Sequence, residues 1–457
     1  MKKVLALFAA AALLAWTSLS YVKLRTTRLG MMWLLPKLSA GSFSLETTLA
    51  GVTGAAIGIV RGSRAVAVAY GLVALAAGIP VVRTWRTPEV FTDAFGALEP
   101  AVERRRYLLG RRWGVRLGQV PEARVQRDIP FWTPPERERP LLCDIWQPAA
   151  EVPVSGLGFV YLHGSAWTLL DKDLGTRTLF RHLVAQGHVV MDVAYRLYPE
   201  TDMVGMVWDA KRAVAWLKAH TAEYGVNPDR IVLGGGSAGG HIALLAAYTV
   251  GHPELTPADV GDADTSVRGV LGWYSPVDLA ACYEHYENAA LAEMMPEQPD
   301  WNAPTSPLMR RLLGADAERI ALQKGPSSGR LDWIVWGSPQ QVPERYALLS
   351  PITHVHAGCP PTLLMQGRDD IIVPPGPALE LREKLRKAGV EAALLLLPQA
   401  DHGFDLLATD WSPAARQALW HAERFLALIA FRPDSGTSLR AGLNEVPPLK
   451  EARRDGL

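Results

Sequence analysis

Cysteine is nearly absent from this chain: 457 residues contain three, Cys143, Cys282 and Cys359. They lie far apart, so no disulfide framework is implied; one bridge with a spare thiol and three free thiols both stay open. The short spacings of zinc sites, CxxC and HExxH, are missing, and no metal or cofactor is expected from motif. His354 and His356 form an i, i+2 pair, with no carboxylate or third histidine close by in sequence. The formal net charge is only +1, so the basic excess that a nucleic-acid partner calls for is lacking. Acidic residues are absent before Glu46.

That last absence coincides with three apolar stretches, at residues 4–19, 49–60 and 65–82. The first follows Lys2 and Lys3 and reads as a signal peptide or signal anchor, with small residues at Ser18-Leu19-Ser20 as a weak cleavage point. The other two are joined by Arg61-Gly62-Ser63-Arg64 alone. Both are apolar all round rather than along one stripe, which predicts a helical hairpin in a bilayer; a buried soluble helix pair is the alternative. The third stretch has spanning length, and the second gains it only by starting near Phe43. Lys23, Arg25, Arg28, Lys37, Arg83 and Arg86 fall on one side of three spans, and Lys2, Lys3, Arg61 and Arg64 on the other. Charge therefore sets no orientation. The basic run 104–113 suits an anionic headgroup layer or a solvated helix face equally.

From about residue 128 the pattern becomes alternating strand and helix. Short apolar runs at 141–146, 158–162, 188–194, 230–234, 270–274, 361–366 and 392–397 read as strands. Residues 203–220, 241–249, 378–387 and 414–430 read as helices. Strands alternating with helices predict an α/β fold whose mostly parallel sheet is covered on both faces. The expected organisation is a membrane segment at 1–82, a basic juxtamembrane linker at 83–127 and a catalytic domain at 128–431. An irregular, lid-like insertion occupies about 279–345, and a polar, disordered tail 432–457. The expected location is a membrane of the cell envelope, with membrane lipids as partners; the pattern assigns no oligomeric state.

Four elements carry chemistry. Ile231-Val232-Leu233-Gly234-Gly235-Gly236-Ser237-Ala238-Gly239 runs from an apolar strand through G-x-S-x-G into a helix, which marks Ser237 as a nucleophile on a tight turn. Earlier, Tyr161-Leu162-His163-Gly164-Ser165-Ala166-Trp167 follows another strand with small residues. The N–H groups of Gly164 or Ser165, with that of Ala238 after the nucleophile, are the expected donors to an oxyanion. Next, Gln366-Gly367-Arg368-Asp369-Asp370 puts two carboxylates just past a buried strand. Asp370 or Asp369 is suited to orient a histidine, and the Ile371-Ile372-Val373-Pro374 that follows favours Asp370. Last, Ala400-Asp401-His402-Gly403-Phe404 puts His402 on the loop after the final strand, placed to act as general base. His241 lies inside the helix behind Ser237 and reads as packing, and His163 as part of the oxyanion turn.

The order Ser237, Asp370, His402 and these motifs resemble the hormone-sensitive-lipase-like carboxylesterases and lipases of the α/β-hydrolase superfamily, over roughly residues 158–430. The segment Asp192-Val193-Ala194-Tyr195-Arg196-Leu197-Tyr198-Pro199-Glu200 is similar to that family's Tyr-Arg-Leu-x-Pro-Glu signature. The apolar hairpin in front resembles that of membrane-associated actinobacterial esterases. The resemblance implies hydrolysis of acyl-ester or lipid substrates through an acyl-enzyme, with no cofactor. An amidase or formamidase using the same three residues, and a catalytically silent membrane scaffold, are the alternatives. The chain departs from the family in three places. The glycine-rich oxyanion turn reads His163-Gly164-Ser165-Ala166. Gly236 stands where an acidic residue often precedes the nucleophile. The family's N-terminal cap helices are not evident.

Overall fold

The computed structural model describes residues 1–23, 28–98, 121–135, 139–173, 175–288 and 331–432. The basic run 104–113 lies outside the described residues, as do most of the 279–345 insertion and all but the first residue of the C-terminal tail.

An eight-stranded sheet forms the core, built from β1 (Arg124–Trp132), β2 (Leu141–Gln147), β3 (Gly158–Leu162), β4 (Val189–Val193), β5 (Ile231–Gly236), β6 (Gly269–Trp273), β7 (Thr362–Gly367) and β8 (Ala392–Leu397). Their spatial order is β1-β2-β4-β3-β5-β6-β7-β8. β2 pairs antiparallel with both β1 and β4, and every pairing from β4 to β8 is parallel. This is the strand order of the α/β-hydrolase fold. The five-residue β3, β4 and β6 are buried along their whole length. Helices on both faces leave such strands no solvent side, which is why they read as continuous apolar runs rather than alternating ones. Two apolar cores result. One packs Met203–Ala219 and Ala238–Tyr248 against one face of the sheet, and the other packs Pro413–Phe431 against the opposite face.

Elements that the pattern did not mark explain themselves physically. β1 is an edge strand with mostly exposed side chains, and it contains Arg124, Arg127, Asp128 and Pro130. It begins ahead of residue 128. The helix Arg177–Val184 is short and strongly amphipathic, not apolar.

Ahead of the sheet lie α1 (Lys2–Ser18), α2 (Arg28–Ser42), α3 (Ser44–Val60) and α4 (Arg64–Trp85). Lys2–Tyr21 and Arg64–Trp85 are long and apolar enough to cross a membrane. Met32–Ser42 and Ser44–Val60 make a third candidate, bent by 58° at the break. α2 was not apparent as a helix because Pro36 and Lys37 interrupt its apolar run. α3 and α4 pack closely through glycine. A Cβ on Gly51 would collide with the Ala74 backbone, and one on Gly54 with the Tyr70 ring. Small residues on the facing sides let two helix backbones approach closely. The side chains facing outward, among them Leu49, Val52, Ile59, Val68, Leu72 and Leu75, are large, apolar and exposed.

Candidate active site

Parallel strands bring their carboxyl ends to one edge, and the sequence-marked residues gather there. β5 delivers Ser237 on a turn with φ 53° and ψ −123°, a conformation that disfavours any side chain. The surrounding glycines make the turn feasible. A Cβ on Gly235 or on Gly239 would collide with the Leu162 carbonyl oxygen at the end of β3. The Ser237 N–H donates to Trp273 O at 2.8 Å, which fixes the turn to β6.

His402 Nε2 lies 3.0 Å from Ser237 Oγ, and its Nδ1 lies 3.0 Å from Asp370 Oδ2. With Nδ1–H donated to the carboxylate, Nε2 is left to accept the serine proton. Asp370 has no side-chain exposure. Its Oδ1 accepts the N–H groups of Ile372 and Val373, both at 2.9 Å, and Oδ2 also accepts Gln366 Nε2 at 2.8 Å. Of the two aspartates, then, Asp370 is the one beside the imidazole. Asp369 instead donates its backbone N–H to Ala400 O.

The turn at 163–166, expected from sequence to supply oxyanion donors, stands next to this chain. A Cβ on Gly164 would lie 3.3 Å from Gly236 O and 3.5 Å from Ser237 Cβ. Ser165 turns its hydroxyl inward, 2.7 Å from Tyr195 OH, and accepts the Trp167 N–H at 2.9 Å. Tyr195 OH donates to His163 O at 2.8 Å, and the His163 and Tyr195 rings stack at 4.6 Å. Buried hydrogen bonds brace the turn, with Ala166 and Trp167 held at positive φ. Ala238 opens the helix behind Ser237, where the N-terminal N–H groups and the helix dipole favour negative charge.

His241 is fully buried. It accepts Trp167 Nε1–H at Nδ1 and donates from Nε2 to Leu349 O. Burial lowers its pKa to about 4, so it stays neutral and links the oxyanion turn to the far wall. His354 and His356 each place Nε2 on a backbone carbonyl, of Leu348 and Tyr248 respectively, which accounts for the pair without a metal. All three cysteines are free and buried. Burial raises the thiol of Cys143 to about 12, which makes it a poor nucleophile.

Several residues at the site carried no motif. Tyr274, directly after β6, lays its ring 4.6 Å from the His402 ring and donates its OH to Asp405 Oδ1 at 2.7 Å. A Cβ on Gly236 would come within 3.1 Å of that OH, so glycine before the nucleophile makes room for Tyr274. Burial raises the pKa values of both Tyr274 and Asp405. Asp401 accepts the N–H groups of Ile371 and His402 and pairs with Lys37 of α2. The position of Tyr274 at a strand's carboxyl end was the available signal for it. For Lys37 the signal was its isolation, as the single charge between Arg28 and Glu46.

Residues 143–385, which include Ser237 and Asp370 but end before His402, match the BD-FAE family model, and the chain belongs to that family. Among curated proteins it is similar to the "Probable carboxylic ester hydrolase LipM" of Mycobacterium tuberculosis, 30% identical over 296 residues, covering 64% of this chain and 59% of that protein. Esterase LipQ of the same organism is 30% identical over 298 residues, covering 64% and 60%. The chain thus spans about six tenths of the length of these relatives. Among solved structures, the butyrate-bound esterase 2 of Thermogutta terrifontis aligns with a TM-score of 0.47 at 25% identity, over 69% of this chain and 98% of that one.

Proposed function

We propose that the protein is a membrane-anchored serine carboxylic-ester hydrolase that cleaves acyl esters through an acyl-enzyme. The observation that carries this reading is the unbroken hydrogen-bonded chain from Ser237 Oγ through His402 to a buried, four-fold hydrogen-bonded Asp370. His402 takes the serine proton as Oγ attacks the ester carbonyl. The N–H groups of Gly164 or Ser165, with that of Ala238, hold the oxygen as it becomes an oxyanion. The imidazolium, stabilised by Asp370, gives its proton to the leaving alcohol. Water, deprotonated by His402, then releases the acid. No step calls for a cofactor. The Tyr195-Arg196-Leu197 segment supports the finer placement among hormone-sensitive-lipase-like carboxylesterases, through Tyr195 beneath the oxyanion turn. Residues 1–82 form the membrane segment in this reading, the outward apolar side chains of α1, α3 and α4 facing lipid, and the domain that follows is held at the membrane surface.

The test uses the full chain in detergent or lipid discs. A fluorophosphonate should label the wild type, and turnover of p-nitrophenyl esters should fall by at least about 10³-fold in Ser237→Ala together with loss of the label. Labelling that persists in that variant overturns the assignment. Anilide turnover measured beside ester turnover separates an amidase from an esterase, and absence of both in the wild type identifies a silent scaffold.

A further inference from the structure

The contact between the N-terminal helices and the sheet falls on the loop that carries His402. Lys37 is 3% exposed and Asp401 1%, and Lys37 Nζ lies 2.8 Å from Asp401 Oδ2. The other oxygen, Oδ1, accepts two backbone N–H groups, from Ile371 at 3.0 Å and from His402 at 2.9 Å. Ile371 directly follows Asp370. One carboxylate therefore joins the two backbone segments that bear Asp370 and His402, and its remaining oxygen is held by a cation from α2. Ser20, Pro80 and Thr84, from the domain-facing ends of the neighbouring helices, line a small cavity with Gln399, Ala400 and Asp401. The loop is thus walled on this side by the N-terminal segment together with Ser412 and Pro413 at the start of the last helix.

We infer that Lys37 is a positioning residue for His402: the N-terminal helices hold the catalytic loop as well as anchoring the chain. The inference rests on the catalytic reading of Ser237, His402 and Asp370 given above. A buried carboxylate stripped of its cation either takes up a proton or draws in water. Either change disturbs the two N–H bonds that set the spacing of Asp370 and His402. Such a displacement slows the chemical step while leaving the acyl pocket as it was, so kcat should fall and KM should not.

The experiment measures kcat and KM for p-nitrophenyl butyrate in full-length Lys37→Met, Lys37→Arg and Lys37→Met/Asp401→Asn, with Ser237→Ala beside them. Lys37→Met should lose about 10- to 100-fold in kcat with KM within about twofold of the wild type. Lys37→Arg should retain most turnover. The double variant should recover to within about threefold of wild type, because the amide oxygen introduced at position 401 still accepts both N–H groups and no buried charge is left unpaired. Should Lys37→Met fail to fold, the double variant decides by the same criterion. Wild-type kcat in Lys37→Met, or a double variant no better than the single one, overturns the inference. Turnover that survives in Ser237→Ala would instead overturn the catalytic reading on which it rests.

Discussion

At the residue scale, the carboxylate of Asp370 decides which ring nitrogen of His402 carries the proton. Its four accepted hydrogen bonds leave it no freedom to rotate, and Oδ2 faces Nδ1 at 3.0 Å. In Asp370→Asn the amide can keep the two backbone N–H bonds through its oxygen, which turns its NH2 toward the imidazole. His402 then presents Nδ1 as acceptor and Nε2–H toward Ser237, the wrong tautomer for a general base. The expected outcome is a drop in kcat of about 10³- to 10⁴-fold with fold and KM retained, checked by steady-state kinetics beside a thermal melt. Asp369→Asn, one position earlier on a partly exposed turn, should cost far less. The meeting of these residues was open to sequence reading to different degrees. Ser237 announced itself through the glycines, since only a turn without Cβ atoms at 235 and 239 passes under Leu162. His402 and Asp370 followed from chain order and from their place after apolar runs. Tyr274, Asp405, Gln366 and Lys37 did not, because each acts through a partner distant in sequence or through a geometry that no local pattern encodes.

Among the elements, the buried parallel strands were the most legible. A strand covered on both faces is apolar at most positions, and β3 and β8 occupy the residues their composition marked. Legibility failed where an element has a solvent side. β1 alternates irregularly at the sheet edge, and α2 hides a buried cation in an apolar helix. The α3–α4 pair was visible as a hairpin, but its intimacy depends on which glycines face inward. Gly51 meets the Ala74 backbone, whereas Gly71 has open space around the site of its missing Cβ. Gly51→Leu should therefore force the helices apart and destabilise the pair by about 1–3 kcal/mol, with a lower thermal midpoint in detergent. Gly71→Leu should leave the midpoint unchanged or raise it, since glycine in a helix interior is itself unfavourable. Equal effects of the two substitutions would mean that the pair is not packed through this face.

Considered whole, the molecule has two parts with different demands on their surroundings, joined at the buried Lys37–Asp401 pair. The N-terminal helices expose large apolar side chains, while the sheet domain buries its own beneath helices. The carboxyl edge of the sheet, where Ser237, Asp370 and His402 meet, is the edge against which α2 and the end of α4 rest. The whole account depends on Ser237 becoming acylated during turnover. The most direct measurement is acid quench of the full-length protein during hydrolysis of p-nitrophenyl butyrate, followed by peptide mapping in a mass spectrometer. A butyryl ester on Ser237, formed in the wild type and absent from Ser237→Ala, is the predicted result. Turnover with no acyl group on Ser237, or with the acyl group on another residue, would contradict it.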